Sequence, residues 1–143
     1  IQLTLSQSSP LTGAVVVTTP QDIALIDAKK GLKMFEKVNV PLLGIVENMS
    51  VFICPCCGEV THIFGEGGAK RMSEQYGVPM LGELPLSPAI REAADSGRPT
   101  VAAEPESAAA KMYRAIAMKI AGSIAKLGKD YTARMPTISV KND

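Results

Sequence analysis

The fold is decided by Ala14-Val15-Val16-Val17-Thr18, followed by Thr19-Pro20-Gln21-Asp22 and, some twenty residues on, by Leu42-Leu43-Gly44-Ile45-Val46. The two flanking runs are short, apolar and rich in β-branched residues, which is how strands covered on both faces read. Between them Leu25, Ala28, Leu32 and Phe35 recur at spacings of three and four, so one face of a helix is apolar. Thr19 is placed to cap that helix, Pro20 to occupy its first position and Asp22 to face its exposed amides, and Asn39 and Pro41 end it. Strand, helix and strand within about 30 residues make a βαβ unit, whose strands are parallel and whose crossover is right-handed.

Outward from this unit the alternation continues. A helix is predicted from about Ala69, with Met72 and Tyr76 inward and Gly77 as its stop. Met80-Leu81-Gly82-Glu83-Leu84 reads as a third strand, and Ser87-Pro88 starts a brief helix through Ile90, Ala93 and Ala94 that Gly97 ends. A last helix is expected from Ser107 to Leu127, its stripe formed by Met112, Ile116, Ile120, Ile124 and Leu127. The fold class is therefore α/β: a parallel sheet with helices on both faces. Residues 1–130 are expected to form one unit and residues 131–143 a loosely ordered tail.

Three strands make a thin parallel sheet, and the chain opens on Ile1 rather than Met, so the unit is expected to be the C-terminal part of something longer. Of the 143 residues 46% are hydrophobic and 20% charged, which suits a packed core and excludes a disordered chain. A net charge of +1, without Trp and with three Phe and three Tyr, argues against a nucleic-acid surface. No apolar run approaches the roughly 20 residues of a membrane span.

Residues 47–68 break the pattern and form a long loop or small excursion that carries all three cysteines, Cys54, Cys56 and Cys57. Three cysteines within four residues cannot build a disulfide framework, and clustered thiols suit a reducing compartment. Two thiolates at Cys-x-x-Cys spacing converge on one metal through a tight turn, but they supply half of a four-thiolate site. His62, Cys56 or a second copy of the chain could complete it. A zinc knuckle over Cys54, Cys57 and His62 would need a fourth ligand near position 67, which is Gly67. A redox dithiol normally sits at a helix start, and Gly58-Glu59-Val60-Thr61 is poor helix-starting sequence, so metal is favoured over redox. For His62 a hydrogen-bonded loop role is favoured over ligation. For Asp22, Asp27, Glu47 and Glu92 the expected role is solvation or capping. There is no P-loop: Gly128-Lys129-Asp130 lacks the preceding glycine, and Gly65-Glu66-Gly67-Gly68 is read as hinge or close packing rather than anion binding.

Six strings in order resemble the Mrp-type family of iron–sulfur carrier ATPases, relatives of the MinD-like deviant P-loop ATPases. They are Thr18–Ala24, Gly44–Ser50, Cys54–Gly58, Thr61–Gly65, Leu81–Leu86 and Ile90–Ala93, and the similarity runs from Ile1 to about Leu127. The resemblance implies the C-terminal part of a P-loop NTPase-like fold. It also implies a cytoplasmic homodimer that passes a cluster to recipient apoproteins. It places a four-iron cluster, bridging two subunits, on Cys54 and Cys57, with zinc as a possible substitute. It sets Asn48 against the adenine of ATP, with the backbone around Pro85-Leu86 beside it. The phosphate- and magnesium-binding parts of the family lie upstream of the position matching Ile1, so ATPase activity is expected of a longer parent and not of this chain alone. Cys56 departs from the motif, and the loop geometry is expected to point it away from Cys54 and Cys57. Two rival readings are a structural zinc module that pins a dimer together and, behind it, a dithiol redox protein.

Overall fold

A computed structural model describes residues 2–127. In chain order its elements are α1 (Gln2–Ser8), β1 (Ala14–Thr18), α2 (Asp22–Lys37), β2 (Leu42–Glu47), β3 (Phe52–Ile53), β4 (Val60–Thr61), α3 (Gly68–Tyr76), β5 (Met80–Glu83), α4 (Pro88–Asp95), α5 (Thr100–Ala103) and α6 (Ala108–Lys126). The strands β1, β2 and β5 form a parallel sheet in that order, with β2 central. The expected tail, residues 131–143, lies outside the described residues.

Side-chain alternation along β2 builds the two cores. Ile45, fully buried, faces α2 and α3, where it packs with Val16, Leu25, Ala28, Leu32, Ala69, Met72 and Val78. Its neighbour Val46 faces the other way and meets Leu81, Leu84 and Ile116 beneath α6. Two faces, each covered by helices, are what a strand with no polar residue between Leu42 and Val46 requires. Gly77, in the left-handed conformation, closes α3 as its sequence predicts, and Ser107 caps α6 by accepting a hydrogen bond from the Ala110 amide.

Two expectations are corrected. The helix after β1 starts at Asp22, not at Pro20, with the extended residue Gln21 as its cap and no side-chain cap bond; the Thr19 hydroxyl bonds the Gln21 side chain instead. The reason is tertiary: Pro20 is buried, and its backbone lies against Gly68 at the head of α3, so the chain stays extended past it. On α6 the face toward the sheet is Ala110, Tyr113, Ile116 and Ile120, whereas Met112, Ile124 and Leu127 are exposed. Nineteen helical residues span about 28 Å. The four residues of β5 span only about 13 Å, so the helix overruns the sheet. The segment 47–68, expected as a loop or small excursion, is an excursion built on the antiparallel pair β3–β4.

The outer edge of β1 has no strand partner among the described residues. Beside it runs a groove of about 860 Å³, lined by Val15–Thr19, by α2 residues from Ala24 to Phe35 and by Asn48, and Val17 stands 59% exposed. An apolar parallel edge of this kind pairs with other chains. Light scattering of the metal-free protein is expected to report dimers or larger species, and Val17→Lys is expected to shift them toward monomer. A monodisperse wild-type monomer would contradict this.

Candidate functional site

The cysteines occupy the tip of the β3–β4 hairpin. Phe52 pairs with Thr61 and Ile53 with Val60, and the Cys54 amide donates to the Glu59 carbonyl at 2.9 Å. The chain then reverses through Pro55, Cys56 and Cys57, and the Gly58 amide closes the turn on the Cys54 carbonyl at 2.9 Å. Gly58 makes this closure at a φ of 76°, a conformation glycine adopts without the penalty other residues carry. Cys54 and Cys57 are thus the first and fourth residues of one tight turn. Cys54 is half-buried; Cys56 and Cys57 are exposed.

The turn also sets the chemistry of Cys54. Backbone hydrogen bonds from Cys57 and then Cys56, followed by a hydrogen bond from the Cys57 side chain, hold the Cys54 thiol below its ordinary value of 9.0. Donors aimed at sulfur favour the thiolate, the form that binds metal. The Cys57 side chain is therefore within hydrogen-bonding reach of Cys54, as the Cys-x-x-Cys spacing predicts. Cys56 does not point wholly away, which corrects the expectation: its thiol also reaches Cys54, with the smallest effect. The turn is so short that the sulfur of the residue between cannot leave the neighbourhood. Among the described residues no three His, Cys, Asp or Glu side chains gather into a metal-sized group.

The base of the hairpin is tied to the sheet. Ser50, 4% exposed, donates from both its amide and its hydroxyl to the Leu84 carbonyl, at 3.0 and 3.3 Å, and the Leu86 amide donates to Val51 at 2.8 Å. The favoured reading of His62 holds: it is hydrogen-bonded, its Nδ1 3.1 Å from the Ser50 carbonyl. Glu47, the last residue of β2, is only 2% exposed, and its Oε2 accepts the Ala69 amide at 2.7 Å in the first turn of α3. Capping is thus right for Glu47 and solvation is not. Close packing is right for Gly68 of the glycine run, where a Cβ would lie 2.8 Å from both the Pro20 carbonyl and Leu25.

Asn48 follows Glu47 at the mouth of the groove beside β1. Its amide donates to Thr18 at 2.7 Å, and its Oδ1 accepts the Met49 amide at 2.9 Å, the local bond of an asparagine turn. Met49 takes a φ of 55° there.

A parallel sheet wrapped by helices, with a thiol hairpin rising from the carboxyl end of its central strand, defines an α/β nucleotide-binding-type fold that carries paired thiols on an added hairpin. Residues 1–121 match the family model described as ParA, NUBPL iron-transfer P-loop NTPase, and the chain belongs to that family. It is 59% identical over 124 residues to an iron-sulfur cluster carrier protein of Escherichia coli, covering 87% of this chain and 34% of that one. It is 53% identical over 120 residues to the mouse iron-sulfur cluster transfer protein NUBPL, covering 84% of this chain and 38% of that one. The chain thus spans little more than a third of these relatives' length. Among solved structures, a nucleotide-binding protein of Archaeoglobus fulgidus in complex with ADP superposes at a TM-score of 0.61, with 38% identity, over 73% of this chain and 42% of that one. The cell division ATPase MinD of Pyrococcus furiosus superposes at 0.58, with 32% identity, over 82% and 44%.

Because the Cys54 thiol is held below its ordinary value, its thiolate persists to lower pH than that of a free cysteine. Alkylation mapped by mass spectrometry across a pH series is expected to show Cys54 modified with a midpoint below 9.0. A midpoint at or above that value would contradict the hydrogen bonding described.

Proposed function

We propose that this chain carries an iron–sulfur cluster as cargo on Cys54 and Cys57 and that the cluster passes to recipient apoproteins. The observation that carries the reading is the pairing of the Cys54 and Cys57 thiols in one solvent-reachable turn whose hydrogen bonds favour the Cys54 thiolate. Two thiolates fill half of a cluster's four-thiolate shell, and a second copy of the chain supplies the other half most simply, across a twofold axis. The cargo is then a four-iron cluster bridging a homodimer. Family membership and the names of the relatives support iron and sulfide over other cargo. The chain's role in the reaction is to hold and release: the turn amides stabilise the Cys54 thiolate, and protonation or competing thiolates of a recipient free it.

We further propose that ATP with magnesium binds in the longer protein and that its hydrolysis belongs there, with Asn48 beside the adenine. A side-chain amide both donates and accepts, as the adenine edge requires, and the likeness to an ADP-bound protein supports this placement of a nucleotide. The location proposed is the cytoplasm, where thiols stay reduced; among the described residues no helix is long and apolar enough to cross a membrane. Placement of the Cys-x-x-Cys pair on a hairpin turn, away from any helix start, favours metal over dithiol redox chemistry.

Anaerobic reconstitution with iron and sulfide is expected to give brown dimers with about four irons per pair. Cys54→Ala and Cys57→Ala are expected to lose colour and metal-linked dimerisation, and Cys56→Ala to keep both. Full loading of the Cys54→Ala chain, or colourless dimers that hold only zinc, would overturn the carrier reading, the latter in favour of a structural zinc module. Calorimetry of this chain with ATP and magnesium is expected to show nothing tighter than roughly millimolar. In a longer protein with its phosphate loop, Asn48→Ala is expected to weaken ATP about fivefold, the worth of one hydrogen bond of about 1 kcal/mol. Unchanged affinity would return Asn48 to its turn role alone.

A further inference from the structure

We propose that His62 is a positioning residue of the thiol hairpin: its Nδ1–H, held on the Ser50 carbonyl, locks the returning arm and so fixes the separation of Cys54 and Cys57. A carbonyl oxygen only accepts, so the 3.1 Å contact requires the hydrogen on Nδ1. The other ring nitrogen, Nε2, lies 3.9 Å from the exposed Glu66 carboxylate, on the solvent side.

The hairpin needs such a lock. Each of its strands has two residues, and an isolated two-stranded ribbon is marginal in water even when longer. Its outgoing arm is secured by Ser50 and Val51 bonding to Leu84 and Leu86, and by the bridge between Phe52 and Leu86. Among the described residues the returning arm has no backbone hydrogen bond to the three-stranded sheet to match these. Val60, Thr61, His62 and Ile63 are all exposed, and the chain is next held at Gly68 and Ala69, against Pro20 and Glu47. His62 bridges this arm to Ser50, a buried point already fixed to the sheet. Any splay of the arms there opens the turn in which Glu59 and Gly58 bond to Cys54.

The inference rests on the reading that Cys54 and Cys57 hold the cargo, and its test has one arm independent of it. The variants His62→Ala, His62→Asn and His62→Gln separate the two ring nitrogens, because an asparagine amide sits where Nδ1 sits and a glutamine amide where Nε2 sits. In the metal-free protein, hydrogen exchange at the Cys54 and Gly58 amides is expected to quicken about fivefold in His62→Ala and His62→Gln, the worth of one net hydrogen bond. It is expected to return toward wild type in His62→Asn, with β2 amides unchanged as the control for folding. In the reconstituted protein, loss of iron to a chelator is expected to follow the same order. Glu66→Gln is expected to leave both readouts unchanged. Exchange in all variants equal to wild type would overturn the proposal. So would rescue by glutamine but not asparagine, or a Glu66→Gln effect as large as that of His62→Ala, since either result assigns the role to Nε2. Failure of wild type to load iron would sink the carrier reading while leaving the exchange measurement to decide on His62.

Discussion

The buried carboxylate of Glu47 is the constraint on which the functional end of the molecule depends. A carboxylate that is 2% exposed is tolerable only with a strong partner, and the Ala69 amide, at the positive end of α3, provides one at 2.7 Å. A hydrogen bond to a charged acceptor contributes about 1.5–3 kcal/mol, enough to decide where a nine-residue helix sits. Because Ala69 and Met72 of that helix also close the core over Ile45, the polar tie and the apolar packing fix the same position. The three residues after Glu47 then distribute the strand end: Asn48 bonds to β1, Met49 turns the chain in the left-handed region, and Ser50 bonds to Leu84 beyond β5.

From that hub the hairpin is a cantilever. It carries little core of its own, since Ile53, Val60 and Ile63 are exposed, and its order comes from the root. The tip is governed by different physics: short-range amide–sulfur bonds within one turn, which need no tertiary packing. A root tied to the sheet and a solvent-reachable tip with a tuned thiol are what the proposed carrier role asks for.

How much of this was legible in the sequence depends on the range of the interaction. Ala14–Thr18 and Leu42–Val46 announce buried strands because each residue in them is locally apolar or β-branched. Gly77 announces a helix end by its own chemistry. The Cys-x-x-Cys turn is equally local, and its thiol pair was readable from spacing. The β3–β4 ribbon was not, because two residues per strand are too few to show alternation. The start of α2 was misplaced because burial of Pro20 against Gly68, far away in sequence, overrides a good local cap. Glu47 looked like an isolated acid for the same reason: its partner lies 22 residues downstream, and nothing near either residue signals the other. The exposed part of the α6 stripe needed the width of the sheet, a property no single helix encodes.

The contact at Gly68 has a consequence for how the chain tolerates change. With the Pro20 carbonyl and the Leu25 methyl each 2.8 Å from the place a side chain would begin, position 68 has no room even for alanine. Relief would mean backing α3 away, which Glu47 resists, or lifting the turn after β1, which Thr18 resists through its bond to Asn48. The turn after the first strand and the helix after the hairpin therefore bear on each other like two parts of a joint machined without clearance. Drift at one surface can be accepted only with a matching change at the other, so these two stretches are bound to vary together although more than forty residues of chain separate them.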